Sequence, residues 1–413
     1  VEVRTQSSKF GMASGTGRTG QESINIRGLE GNQVLLMVDG IPLPHAFNYS
    51  AASTGRVDYL EMEGIGQVEV LRGPASTLYG SDGLAAAINF QTITFEDLIK
   101  PGSDSASYVK SVHRTVNCSN AGALGFAKYG NNVDALLISS TSSGAELKNQ
   151  GRIDSADEFR TESNPESHHQ NYLLGKLRYH ISGSQTALVT IEDLQKKRDT
   201  ELYSGRTLVV TDLDARDHIK TQRASIDLES LQPIFGFEDH SKVKVWAQES
   251  STQQVTIQDG TVARSRNNLI KDKSTGLQAQ FVNYVGGGVS QKWTYGVDLQ
   301  KSTISQEVKR SGDYNDQLKY FPDTIKNQAG LFTQLELDNS NYSLIPAVRF
   351  DRYSFKSKQQ GYALPAVDLE DSAWSPSFAG IWKYHSAAHP YFSWAKGFRA
   401  PTQDQINNGF TNL

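Results

Sequence analysis

Three kinds of residue in this chain have a spacing that could do chemistry: nine histidines, the aspartates Asp212, Asp214 and Asp217, and a G-x-G-x-x-G at 15–20. Imidazole is the commonest metal ligand and titrates nearest neutrality, so the histidines carry the widest chemical reach. The aspartates lack the sharp-turn glycine and the distal glutamate of a calcium loop, and read as solvated loop carboxylates. A dinucleotide fingerprint needs a buried strand before it and a helix behind it. Residues 6–14 hold no apolar run and 21–27 read as strand, so the glycine motif is a loop. No motif sets two carboxylates together for acid–base work.

The elements that must position these residues fall into two textures. Residues 34–38 (VLLMV) are a short apolar run with the turn pair Asp39-Gly40 directly behind it. A second strand at 68–71 is broken by Arg72-Gly73-Pro74, residues 75–79 can form about one helical turn before Gly80, and 85–91 read as a third strand. These segments suggest a compact mixed sheet with helical crossovers, too small in apolar area to stand alone, which packs against a larger body. Between them, 41–66 holds Pro42, Pro44, His45, Phe47, Asn48 and Tyr49 and reads as an extended loop.

From about 105 onward, apolar and polar residues alternate with period two, giving thirteen candidate strands between 105 and 397. After the first pair, short connections (130–132, 182–184, 286–288, 339–340, 386–387) take turns with long ones (142–170, 194–218, 251–273, 302–326, 354–373), while 231–240 is intermediate. That is the pattern of an up-and-down barrel with tight turns at one rim and extended loops at the other. Tyr172, Trp246, Tyr284, Trp293, Tyr295, Tyr342, Trp382, Tyr384, Tyr391 and Trp394 cluster toward strand ends, as interfacial girdles do. Hydrophobic residues make up 37% of the 413, and no apolar run approaches the ~20 residues of a membrane helix. Only a closed barrel could therefore cross a membrane. A net charge of −4 makes no electrostatic case for nucleic acid, and the single Cys118 excludes an internal disulfide.

In VLLMVDGIP and VEVLRGPASTLYGSDGLAAAINFQT the chain resembles the plug domain of TonB-dependent outer-membrane receptors, with Arg27-Gly28, Asp39-Gly40, Glu69, Arg72-Gly73-Pro74 and Tyr79-Gly80 at the motif positions. The resemblance implies an all-β transmembrane barrel, residues 101–413, with an N-terminal α+β plug, residues 1–100, in its lumen. It implies a transporter and not an enzyme, set in the lipid of a Gram-negative outer membrane and driven by the TonB complex. Such barrels close with about 22 strands, so the coupling box and roughly nine further strands are expected outside this sequence. Arg27, Glu69 and Arg72 are expected to pair with barrel charges and seat the plug.

After the last strand, Phe398-Arg399-Ala400-Pro401 stands where the seventh long loop should begin. It resembles the box carried there by haem and haemoglobin receptors, which implies haem, free or from haemoglobin, as transported ligand, with no catalytic cofactor and these four residues at the ligand. A ferric siderophore is the alternative cargo within the class. A soluble β-rich carbohydrate-active enzyme or adhesin is the reading of another class. Sorted by rim, His180, His240, His385 and His389 fall near inner turns and His113 within the first strand, which leaves His45 on the plug loop and His168, His169 and His218 in outer loops. His45 is the expected axial ligand to haem iron, His168 and His169 the second choice, and Tyr49 a phenolate alternative.

Overall fold

Alternation of side chains across a strand governs most of this molecule. The computed structural model describes residues 2–4, 23–49, 52–312, 319–385 and 388–409. The glycine motif at 15–20 lies outside them. The N-terminal part begins with β1 (Glu2–Arg4) and β2 (Ser23–Asn25), a small antiparallel pair. It continues with β3 (Val34–Val38), β4 (Ile41–Pro42), β5 (Phe47–Tyr49), β6 (Ala52–Thr54), β7 (Ile65–Arg72), α1 (Ser76–Tyr79), β8 (Ala86–Thr92) and α2 (Phe95–Leu98).

Strands β4-β3-β8-β7 form one sheet in that order, with β3 parallel to β8 and the other pairs antiparallel. This is the mixed sheet expected. All five residues of β3 are buried: Val34, Leu36 and Val38 pack with Ile24, Ile26, Ile88 and Phe90 on one face, and Leu35 and Met37 with Ala75 and Ala87 on the other. Asp39 and Gly40 both take positive φ, 49° and 80°, the backbone of a type I′ hairpin between β3 and β4. The 41–66 segment is more ordered than an extended loop, since β5 pairs with β6 and two 3₁₀ turns follow.

The remaining strands are β9 (Ser105–Arg114), β10 (Ser119–Lys128), β11 (Val133–Ala145), β12 (Glu166–Ser182), β13 (Gln185–Glu201), β14 (Val210–Ser230), β15 (His240–Gly260), β16 (Arg264–Val285), β17 (Ser290–Ser311), β18 (Asp323–Asp338), β19 (Tyr342–Lys358), β20 (Leu369–Trp382) and β21 (Tyr391–Ala395). They make one thirteen-stranded antiparallel sheet in consecutive order, β9 and β21 at its edges. The count and order match the expectation. The lengths do not, because strand extends into every stretch expected as a long outer loop and takes up most of 194–218 and 251–273. The clearest case is 251–273: β15 runs to Gly260 and β16 starts at Arg264, so a three-residue turn replaces the loop. Both faces of that hairpin are polar, which hides the two-residue period.

Along the middle of the wall, polar residues face the plug and apolar ones face away. In β14, Thr221, Arg223, Ser225 and Asp227 are buried while Ala224, Ile226 and Leu228 face outward. Two expected girdle aromatics belong to the inner face instead. Tyr172 and Trp246 are buried; Trp246 lies over Gly276, its cross-strand partner. Tyr284, Trp293, Trp382, Tyr384 and Tyr391 stand exposed near the short-turn rim.

The mixed sheet sits against the inner face of this wall. Phe95 and Ile99 pack with Leu136, Ile138, Leu174 and Leu194, and Phe47 with Ile270, Ile304 and Phe321. Between these apolar contacts the wall reaches the N-terminal part with long polar side chains that donate to its carbonyls. Lys244 Nζ lies 2.5 Å from Asp39 O, Arg223 Nη2 2.8 Å from Tyr59 O, Lys196 Nζ 2.8 Å from Leu60 O, Gln254 Nε2 2.8 Å from Ser53 O and Gln278 Nε2 3.1 Å from Gly40 O.

Candidate functional site

The densest group of buried charge lies where the N-terminal sheet meets the wall. Asp82 takes φ 75° at the end of the YGSD turn, a left-handed conformation that aspartate tolerates. Its carboxylate accepts from His45 Nε2 at 2.6 Å and lies 3.5 Å from Arg56 Nη1. Arg56 also donates to the carbonyls of Val34 at 3.2 Å and Leu43 at 3.1 Å. Burial alone would raise the Asp82 pKa, but His45, Arg56 and Lys326 hold it well below the usual carboxylate range. The His45 pKa is lowered as well: burial lowers it, Asp82 opposes this, and Lys326 and Arg56 add to the lowering. The neutral imidazole is therefore favoured, its Nε2–H donating to the Asp82 carboxylate. A second group adjoins it, in which Arg349 binds Asp298 at 2.5 Å and Asp351 at 2.9 Å and donates to Leu78 O at 3.3 Å. Gly330 makes room for that guanidinium, since a Cβ there would collide with it.

Below these groups a cavity of about 790 Å³ runs between the sheet and the wall. His45, Asp82 and Lys326 line one end, and Gly183, Ser184 and Leu231 at the short-turn rim line the other. Asp39 lies along it; burial would raise its pKa, yet Lys176, hydrogen bonds from Thr92 and Lys244 lower it.

This geometry moves several expected site residues. The His45 side chain is 14% exposed, bound to Asp82, and lines the cavity that runs toward the inner rim. Tyr49 ends β5, and its side chain lies outside the described residues. His168 and His169 are not in a loop but in β12, where consecutive residues must face opposite sides. His168 shares the inward phase of Gln170 and Tyr172, with Nδ1 3.8 Å from Glu166 and Arg198 as its cross-strand partner, whereas His169 faces away. His218 lies in β14 on the outward phase, and Asp212 and Asp214 are opposite in phase to buried Asp217, so these carboxylates do not converge. Among the described residues no three His, Cys, Asp or Glu side chains come together as a metal site.

Phe398-Arg399-Ala400-Pro401 lies against the N-terminal part, and the chain behind it reaches the long connections, where Asn407 donates to Ser357 Oγ and Val367 O. The chain leaves the wall after β21 and lies on α1: Phe398 N donates to Ser76 Oγ at 2.9 Å, Ser76 Oγ donates back to Phe398 O at 3.1 Å, and Ala400 N donates to Ser81 Oγ at 2.9 Å. The Phe398 ring lies 5.5 Å from that of Tyr353, and Arg399 donates to Gln405 at the start of α3 (Gln403–Ile406). Pro401, half-buried, joins the box to α3. Arg27, Glu69 and Arg72 are exposed, and among the described residues none of them forms an ion pair with the wall; Glu69 accepts from Asn89 of its own sheet. The seating groups that are present, Arg223, Lys244, Lys196 and Arg349, were legible only as charges on the inward phase of their strands.

A sheet of this topology enclosing a small mixed domain matches two family models, the TonB-dependent Receptor Plug Domain over residues 4–87 and the TonB dependent receptor-like beta-barrel over residues 130–413. The chain belongs to the TonB-dependent receptors. They are outer-membrane proteins of Gram-negative bacteria and not enzymes, which removes the soluble enzyme or adhesin reading. The plug is thus the mixed sheet and the wall the barrel. Over 412 residues, 96% of this chain and 53% of the relative, it is 24% identical to a hemin receptor of Yersinia enterocolitica. A transferrin-binding protein A of Neisseria meningitidis serogroup B is 30% identical over 139 residues, 32% of this chain and 15% of the relative. The hemophore receptor HasR of Serratia marcescens, in complex with HasA and heme, superposes with a TM-score of 0.69 at 16% identity, covering 94% of this chain and 59% of that one. The unliganded ferric citrate transporter FecA gives 0.69 at 13% identity, covering 98% and 60%. The chain spans about half the length of the hemin receptors it matches.

Proposed function

We propose that this plug and wall belong to a receptor that takes up haem, free or from haemoglobin, across the outer membrane, with energy from the TonB complex. The observation that carries the reading is the likeness to hemin receptors over 96% of the chain. The geometry supports a division of labour. His168, on the lumen face of β12, offers an imidazole beside the guanidinium of Arg198, which suits iron and a propionate on one ligand. His45 stands deeper, on the cavity that leads to the inner rim, where it can receive cargo only after the plug has shifted. The Phe398–Pro401 box is hydrogen-bonded to α1 and so couples the segment after β21 to plug movement. Arg27, Glu69 and Arg72 remain candidate seating charges for barrel surface beyond these strands.

The test is a haem titration of the full receptor in detergent, followed by Soret absorbance, with His168→Ala and His45→Ala beside wild type. A shift weakened by His168→Ala and untouched by His45→Ala is the expected result. No shift with wild type would overturn the haem reading in favour of a ferric siderophore or another iron ligand. A shift that survives His168→Ala would overturn the assignment of the capture site.

A further inference from the structure

One inner-rim connection is unlike the others described. Residues 183–184, 286–289 and 339–341 are short turns without aromatic side chains, whereas 231–239 (LQPIFGFED) is longer and exposes Leu231, Ile234, Phe235 and Phe237. It is nevertheless tightly built. The buried Glu238 carboxylate accepts from the backbone N–H groups of Ile234 at 2.7 Å, Phe235 at 3.0 Å and Phe237 at 3.2 Å. Phe237 O accepts from Asn283 Nδ2 at 2.6 Å, and Tyr295 OH lies 3.3 Å from the same oxygen. Gly236, at φ 81°, lets the chain reverse between the two rings.

The direction in which the turn folds decides its meaning. Gln278 faces the lumen, where it donates to the plug, so Phe281, on the opposite phase of β16, faces outward with its cross-strand partner Tyr295. Phe235 and Phe237 pack on Phe281 with ring centroids 5.9 and 5.4 Å away, and Phe281 lies 5.8 Å from Tyr295. The turn has thus bent over the outside of the barrel, onto the face that carries Leu299, Ile226 and Val245. A turn meant for water would have no use for four rings on that side. A turn at the edge of hydrocarbon gains by satisfying its own N–H and C=O groups, and here Glu238 takes three N–H groups while Asn283 and Tyr295 serve the Phe237 carbonyl.

We propose that the 231–239 turn is an interfacial anchor, whose Phe235 and Phe237 rings enter the phospholipid of the inner leaflet of the outer membrane. The occupant is lipid and not a periplasmic protein, because the ring cluster is continuous with the lipid-facing band of the same strands. Aromatic rings prefer this depth, where an apolar body meets a polar boundary.

The experiment places a spin label at Ile234→Cys, which leaves all four rings intact, in the full receptor reconstituted into phospholipid bilayers, with Cys118→Ser and any other cysteine replaced. Collision rates with oxygen and with a water-soluble nickel chelate are compared with those of a label at Gly287→Cys in the short glycine turn 286–289. An oxygen-to-nickel ratio several-fold higher at 234 than at 287 is expected. Equal ratios, or a label at 234 shielded from both reagents, would overturn the proposal. Glu238→Gln should return the 234 label toward the value at 287 by loosening the cradle, and an unchanged ratio would remove Glu238 from the device.

Discussion

The plug and the wall bury opposite things. In the plug the apolar residues of β3 and β8 form the core, as in any small α+β sheet. In the wall it is Arg223, Lys244, Gln248, Gln254, Lys326 and Arg349 that are buried, while leucine, isoleucine and valine face outward. The wall can place charges inside because the plug offers carbonyl oxygens and carboxylates to receive them. The surface between the two is then polar over the sheet and apolar only near its ends, at Phe95 and Ile99 on one side and Phe47 on the other. A seat made mainly of apolar area would resist being pulled loose, whereas hydrogen bonds from flexible lysine and glutamine side chains can be exchanged for water at little net expense.

The contrast can be broken most sharply inside the plug. Arg56→Ala leaves Asp82 buried without its guanidinium and should destabilise the plug by about 3–5 kcal/mol, read as loss of its protection in hydrogen exchange while the barrel stays folded. Next, a charge on the outer face of the wall should be resisted and one on the inner face accepted. Leu331→Arg, in the lipid-facing band, should cost about 2–4 kcal/mol of barrel stability, whereas a charge at the lumen-facing Gln300 should change it by less than about 1 kcal/mol. Urea unfolding of the two variants in the same lipid compares them directly. Arg223→Met should have a smaller effect, about 2 kcal/mol, and confined to the seat: it loses the bonds to Tyr59 O and Gln248 Oε1 and strands Glu192, a third partner at 2.6 Å. Faster exchange of residues 56–60 with unchanged barrel unfolding is the expected signature.

The smallest effect is that of pH. His45 has a pKa below its ordinary value, first through burial and then through Lys326 and Arg56, with Asp82 opposing. The unfolded plug therefore binds the proton more readily, so stability falls as pH drops below about 6.5, by at most about 1.4 kcal/mol per unit. Asp82, with its lowered pKa, adds its own loss only below about pH 4. A His45→Asn variant that keeps the wild-type slope between pH 6.5 and 5 would disprove this role of the imidazole.

Thirteen strands and their order were readable from the residues, because one face of each wall strand is apolar over the membrane band and Gly, Ser or Asn marks the inner turns. Above that band both faces of strands such as β15 and β16 are polar, the two-residue period vanishes, and the hairpin looks like a loop. The same blindness put His168 and His169 together in a loop; extending the phase of Tyr172 outward by four residues separates them. The mixed plug sheet was legible from VLLMV and the Asp39-Gly40 turn. Its polar site was not, since Arg56, Asp82 and Lys326 lie far apart in sequence and meet only through the fold. The box at Phe398–Pro401 was visible as a motif, but its landing place on Ser76 and Ser81 depends on a chain path that no local pattern encodes.

The wall grips much of the plug by its main chain. Asp39, Gly40, Ser53, Tyr59 and Leu60 are each held through the carbonyl oxygen, which every amino acid carries. Mutation at these plug positions leaves the gripped atoms in place so long as the backbone keeps its course. The two domains can therefore diverge at unequal rates, and a plug grafted from a distant relative with the same backbone would find its handholds already cut.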